Sequence, residues 1–253
     1  AITKISHLHF VAIEQHAQRV RQMGEEAWRV HVVGEPCIDA IRNTKNLTKK
    51  QLSKILGVSF NRTTAFVTYH PVTLQLTETA ARVRSFLDAL DKFDMDIIFT
   101  YPNADACGRL IIGEIEDFVR THSNAVAFKS LGSKVYLNLL ANVDIIIGNS
   151  SSGIVEAPSF KLPAVNIGNR QKGRLMPGNV ICTVEETHAI FRGIKKALSP
   201  QFIKSLQRLK NPYDKGGTAR KIVKVLSETK LGPALLNKKF IGWGKICAEI
   251  LKK

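Results

Sequence analysis

Short apolar runs alternate along this chain with longer stretches whose apolar positions recur every three or four residues. The runs predict strands, and the stretches predict amphipathic helices. Strands are expected at Ser6–Ala12, Val30–Val33, Ala65–Tyr69, Asp96–Thr100, Ala125–Phe128, Asp144–Ile147, Ala164–Ile167 and Val180–Thr183. Helices are expected at Glu14–Met23, Cys37–Arg42, Lys49–Leu56 with Thr48 as its N-cap, Leu74–Phe93, Ala106–His122 and Ser133–Ala141. A short helix to Phe160 follows, and the chain after Thr183 reads as helical: Glu185–Leu198, Gln201–Leu209, Thr218–Lys230 and a basic tail to Lys253. Repeated strand–helix units with near-continuous apolar strands predict an α/β fold, a Rossmann-like parallel sheet with helices on both faces.

In such a sheet ligands bind beyond the carboxyl ends of the strands, so the residues after each strand carry the chemistry. They are His70-Pro-Val-Thr73, Tyr101-Pro-Asn-Ala-Asp105, Lys129-Ser-Leu-Gly132, Asn149-Ser-Ser-Ser-Gly153 and Gly168-Asn-Arg-Gln-Lys-Gly-Arg174. The serine loop is the most telling. Its hydroxyls, backbone N–H groups and following helix start suit a phosphate or diphosphate. A tight turn with a helix cap is the plainer alternative. No lysine sits in it, so it is not a Walker-type loop, and the chain has no G-x-G-x-x-G. Glu156, in the first turn of the expected helix, either complements the helix dipole or accepts ribose hydroxyls. Pro158 implies that this helix starts late or bends. Arg170, Lys172 and Arg174 are either a solvated turn or an anion contact, arginine being suited to phosphate. His70, held extended by the following proline, either packs or meets an anion and exchanges protons. Asn103 reads equally as a turn residue. His7 and His9 share one strand face and are expected to pack.

The chain has 253 residues, enough for a sizeable core, and a formal charge of +16. That charge calls for an anionic partner without naming one. No RNA-binding motif supports nucleic acid, and the tail with Lys238, Lys239, Trp243, Lys245, Lys252 and Lys253 reads as a solvated or packed helix. Its four cysteines, Cys37, Cys107, Cys182 and Cys247, form no C-x-x-C pair. They fit free thiols in a reducing cytoplasm and no zinc site. No apolar run reaches membrane-spanning length.

Taken together, His70-Pro-Val-Thr, Pro102-Asn-Ala-Asp, Gly148-Asn-Ser-Ser-Ser-Gly-Ile-Val-Glu156 and Asn166-Ile-Gly-Asn-Arg-Gln-Lys-Gly-Arg174 resemble the hydrolysing UDP-N-acetylglucosamine 2-epimerases of sialic acid synthesis. The opening Ala1-Ile-Thr-Lys-Ile-Ser-His-Leu-His-Phe is similar to the end of that family's N-terminal domain. The resemblance implies a glycosyltransferase-B-like fold, two Rossmann-like domains with a nucleotide sugar between them, of which this chain is the C-terminal half. It divides the chain into residues 1–28, the end of an N-terminal domain; 29–230, the UDP-binding domain; and 231–253, a basic helical extension.

By position, His70 matches the family's catalytic histidine near the diphosphate, and Asn103 a cleft asparagine. Ser151, Ser152 and Gly153 match the diphosphate-binding loop, Glu156 the ribose-binding glutamate, Arg170 an arginine of the UDP pocket, and Leu131 a backbone contact to uracil. The implied reaction is anti elimination of UDP followed by hydration with inversion at C2. It takes UDP-N-acetylglucosamine or UDP-2,4-diacetamido-trideoxyhexose and uses no cofactor or metal. The implied partners are the UDP-sugar, UDP, the N-terminal domain that carries the acid–base carboxylates, and a homodimer or homotetramer mate, with neither nucleic acid nor membrane. A cytoplasmic protein, a chain inactive without its N-terminal domain, and a non-catalytic UDP-sugar-binding module are the remaining expectations.

Overall fold

A computed structural model describes residues 1–72 and 76–242. These residues form two compact units, one from Ala1–Asn43 with the described part of Pro212–Lys253, the other from Thr44–Asn211.

In the first unit, β1 (His9–Val11) and β2 (Val30–Val32) pair in parallel, His9 opposite Val30. Helices Glu14–Gln22, Pro36–Asn43 and Thr218–Glu228 accompany them. Charged side chains stitch its two chain segments together. The fully buried Arg29 donates to Glu26 at 2.7 Å and to the carbonyls of His7, Ala234 and Leu235 at 3.1, 3.0 and 2.8 Å. The buried Glu25 accepts from Lys4 at 2.9 Å and Lys238 at 2.7 Å, and its other contact is His9 Nε2 at 3.0 Å. His9 therefore packs as expected, with an ionic partner besides. Residues 231–242, which hold the short helix Pro233–Leu236, belong to this unit. The tail residues from Trp243 onward, with Cys247, lie outside the described residues.

The second unit is built on six parallel strands: β3 (Thr64–Thr68), β4 (Asp96–Thr100), β5 (Ala125–Phe128), β6 (Ile145–Gly148), β7 (Ala164–Ile167) and β8 (Val180–Thr183). Their order is β5-β4-β3-β6-β7-β8. Counted from the first strand of this sheet, that is 3-2-1-4-5-6, the Rossmann order, which reverses between β3 and β6. Alternate residues face opposite ways. Ala65, Val67, Ile97, Phe99, Ile145 and Ile147 enter one core with Val83, Phe86 and Leu90 of helix Thr79–Leu90, Ile111 and Ile115 of helix Gly108–Thr121, and Ile190 and Ile194 of helix Thr187–Ala197. Phe66, Ile98, Ile146 and Ala164 enter the other, with Leu52 and Leu56 of helix Lys49–Leu56 and Leu139 and Leu140 of helix Gly132–Leu140. Burial on both faces is why these strands read as unbroken apolar runs.

Local chemistry sets several boundaries. Thr48 and Gln51 form a reciprocal capping box, and Gly57 closes that helix in the left-handed region. The helix expected over Leu74–Phe93 is shorter: a 3₁₀ turn, Leu76–Glu78, precedes Thr79–Leu90, and residues 73–75 lie outside the described set. The one expected from Ala106 begins at Gly108, because Cys107 sits at φ 64°. Among the described residues no helix is long and apolar enough to cross a membrane.

Candidate functional site at the strand-order reversal

The site grows from the point where β3 and β6 part. Gly148 has φ +139°, and a Cβ there would lie 1.9 Å from the Thr68 carbonyl oxygen. Glycine is required for so close a backbone approach. The next N–H, of Asn149, still reaches the Thr68 carbonyl at 3.2 Å. Beyond it the Asn149 side chain replaces the missing rung. Its Oδ1 accepts from the His70 N–H at 2.7 Å, and its Nδ2 donates to the His70 carbonyl at 2.8 Å. Asn149 is fully buried, so this amide stands in for a peptide group and pairs both the N–H and the carbonyl of His70.

His70 is thereby fixed at the carboxyl end of β3, itself buried. Its Nδ1 accepts from the Asn103 backbone N–H at 3.3 Å. A backbone amide can only donate, so the proton of the neutral ring sits on Nε2. Burial, helped by the Arg170 charge and opposed by Asp105, lowers the His70 pKa to about 4. At neutral pH the ring is uncharged and offers an Nε2–H donor. The Asn103 side chain is exposed; its backbone makes the contact.

The serine loop leads into a helix of four residues, Ser152–Val155. Expected to run to Phe160, it breaks at Glu156 and continues as a 3₁₀ turn, Ala157–Phe160, with Pro158 in its first turn. Pro158 has no N–H to extend the helical ladder. Glu156 therefore sits, half-buried, at the break and not in a first turn. So short a helix has a small dipole, and two of its first-turn amides are engaged locally, Ser152 N–H with Ser150 Oγ at 3.4 Å and Ile154 N–H with the Ser151 carbonyl at 3.0 Å. This leaves the hydroxyls and the Gly153 N–H as anion donors. Ser151 occupies the N-cap, half-buried, and its side chain makes no cap bond. Ser152 is buried, and its hydroxyl meets that of Tyr136. Gly153 lets the helix settle on β7, since a Cβ there would lie 3.2 Å from Ala164 Cβ.

Side-chain amides and Arg170 hold the carbonyls of this segment from beneath. The Asn149 carbonyl accepts from Gln171 Nε2 at 2.9 Å and Arg170 Nη1 at 3.2 Å. The Gly153 carbonyl accepts from Asn179 Nδ2 at 3.1 Å, and that of Val155 from Asn211 Nδ2 at 2.8 Å. Arg170 is half-buried; burial lowers its pKa, Asp105 works against this and Arg174 adds to it, and the guanidinium stays charged. Lys172 and Arg174 are exposed. Leu131 lies after β5 at the N-cap of the helix that carries Tyr136.

Asn149 thus joins His70, the serine loop and Arg170, with Asn103 attached through His70. Leu131 caps the helix whose Tyr136 meets Ser152, and Glu156 stands at the far end of the short helix. The sequence reading missed Asn149, Gln171, Tyr136, Asn179 and Asn211. The first two lie inside the quoted motifs, but amides in loops look like turn residues until their partners are known. The arrangement gathers a neutral imidazole N–H, a guanidinium, hydroxyls and amides, a donor set for a phosphate-bearing anion. Among the described residues no group of three or more His, Cys, Asp or Glu side chains is placed to hold a metal ion.

Comparison with known proteins bears on the family and the fold. The GDP/UDP-N,N'-diacetylbacillosamine 2-epimerase (hydrolyzing) of Campylobacter jejuni is 39% identical over 243 residues, 95% of this chain and 63% of its own length. The UDP-N-acetylglucosamine 2-epimerase of Neisseria meningitidis is 32% identical over 199 residues, 79% of this chain and 52% of its own. The chain therefore spans about half to two thirds of these relatives. Among solved structures, the Neisseria meningitidis UDP-GlcNAc 2-epimerase bound to UDP-GlcNAc aligns with TM-score 0.74 at 17% identity, over 90% of this chain and 63% of that one. The Methanocaldococcus jannaschii enzyme in complex with UDP-GlcNAc and UDP aligns with TM-score 0.71 at 18% identity, over 89% and 62%. At these identities the likeness is one of fold, and it places the six-stranded unit in the C-terminal part of a glycosyltransferase-B-like architecture. The family model described as UDP-N-acetylglucosamine 2-epimerase matches residues 1–227, and the chain belongs to that family.

Proposed function

We propose that this chain binds the UDP moiety of a UDP-sugar for a hydrolysing 2-epimerase. The observation that carries the reading is the Asn149 bridge, which sets His70, the serine loop and Arg170 around one donor-lined edge. In the reaction a base takes the C2 proton and the C1–O bond breaks, its electron pair leaving with UDP. Water then adds to the glycal with inverted C2 configuration. This chain serves the leaving group. The His70 Nε2–H, Arg170 and the Gly153 N–H with Ser151 and Ser152 take up charge developing on the diphosphate. His70 acts here as a donor; a ring protonated only near pH 4 is a poor base at neutral pH. Glu156 receives the ribose hydroxyls, and the Leu131 backbone meets the uracil. The Asn103 side chain, exposed in its loop, meets the sugar side of the ligand.

Two sugars fit the family. The Campylobacter jejuni relative and a Legionella pneumophila UDP-N,N'-diacetylbacillosamine 2-epimerase (hydrolyzing), 39% and 34% identical, favour a 2,4-diacetamido-trideoxyhexose over N-acetylglucosamine. Calorimetry tests the binding claim. UDP should bind at millimolar affinity or better, and Ser151→Ala and Arg170→Ala should each weaken it about tenfold or more, the size of a lost charge-assisted hydrogen bond. Salt-sensitive RNA binding without UDP binding overturns the claim.

A further inference from the structure

We infer that Tyr136 is a positioning residue of this nucleotide site, acting through Ser152; the inference rests on the UDP reading above. Tyr136 lies in helix Gly132–Leu140, whose N-cap is Leu131. Its ring packs edge-on against Phe66 of β3, with centroids 5.9 Å apart and planes at 68°. A phenylalanine would make the same contact. What tyrosine adds is the hydroxyl, which meets the Ser152 hydroxyl at the first residue of the short helix.

Either oxygen of this pair can be the donor in the free protein. An anion on the loop removes the choice. Phosphate oxygens only accept, so Ser152 must donate outward and accept from Tyr136. The result is a directed chain, Tyr136 O–H to Ser152 O–H to phosphate oxygen, in which each bond polarises the next. Ser152 is buried and cannot count on solvent to hold its rotamer. Tyr136 supplies that hold. It also ties the helix that starts at Leu131 to the loop that takes the diphosphate, so the two ends of a nucleotide meet elements joined to each other.

A double-mutant cycle by calorimetry, with UDP and uridine as probes, tests this. Tyr136→Phe should weaken UDP about tenfold, in line with one hydrogen bond to a charged ligand, and leave uridine within about twofold. In a Ser152→Ala background the same change should cost less than about twofold. Thermal melting of Tyr136→Phe should fall by no more than about 4 °C, because the Phe66 contact is kept and only one hydrogen bond is lost. An equal UDP loss in both backgrounds, or none in either, overturns the inference while UDP binding by the parent keeps the nucleotide reading intact. No UDP binding by the parent chain overturns both.

Discussion

The two units of this chain are held together by opposite means. The first has a two-stranded sheet and joins residues from its two ends through buried ions, with Arg29 on three carbonyls and Glu26, and Glu25 between Lys4, His9 and Lys238. The second buries six strands between two apolar layers, and a group of its buried polar residues, Thr68, His70, Asn149, Ser152 and Gln171, gathers at the carboxyl edge of the sheet. In the first, buried ions join a small apolar core that includes Ile13, Val33 and Ile38; in the second, apolar packing holds the fold and polar contacts shape a site. That contrast explains why the family's recognisable loops fall in the second unit. A sheet stable from its faces can leave its edge to chemistry.

The largest expected effect breaks the first unit alone. Arg29→Ala removes a fully buried guanidinium and strands four acceptors, which should cost about 3–5 kcal/mol of stability. Urea unfolding followed by hydrogen exchange should place that loss in residues 1–43 and 212–242. UDP affinity of the folded variant should stay within about twofold, since a charge-assisted bond lost from the site itself would cost more. Loss of UDP binding in a folded Arg29→Ala protein breaks the division of labour.

A smaller effect separates the units by pH. Glu25 lies in a buried pocket that by itself raises its pKa; bonds from Lys238, Lys4 and His9 overcome this and bring it to about 2, below its ordinary 4.5. Its folded pKa is depressed, so its stabilisation is present above about pH 4.5 and is lost as pH falls toward 2. His70 is depressed from 6.5 to about 4 because its charged form is disfavoured by burial. Between those values the unfolded chain binds the extra proton, so stability is full above 6.5 and falls as pH drops to 4. Hydrogen exchange across an acid titration should therefore loosen the second unit between pH 6.5 and 4, and His70→Gln should remove that loss there, leaving in the first unit the separate contribution of His31, whose pKa burial also lowers. An unchanged second-unit profile in His70→Gln would contradict the assignment.

Much of the second unit was legible because its signals are redundant. Each buried strand is an apolar run closed by a glycine or polar loop, and β4, β5, β7 and β8 have the expected limits. The loops that carry His70, Asn103, Ser151, Ser152 and Arg170 were legible for the same reason: each follows a strand of a parallel sheet. The amide bracing was not. Asn149, Gln171, Asn179 and Asn211 find partners 17 to 79 residues away, and nothing local marks an amide as a brace. The break at Glu156 could be read only in part, since Pro158 announces a disturbance without its position. In the first unit charged side chains reach partners more than 200 residues away, Lys238 at Glu25 and Arg29 at the Leu235 carbonyl, and apolar periodicity does not report charges at all.

The central claim, that UDP is held at the β3–β6 fork of the second unit, is tested most directly by mapping backbone amide chemical shifts on titration with UDP. The predicted result is a set of shifts at His70, Asn103, Leu131, Ser150–Gly153 and Arg170, with residues 1–43 unmoved. Shifts confined to the first unit, or none at saturating UDP, would contradict it.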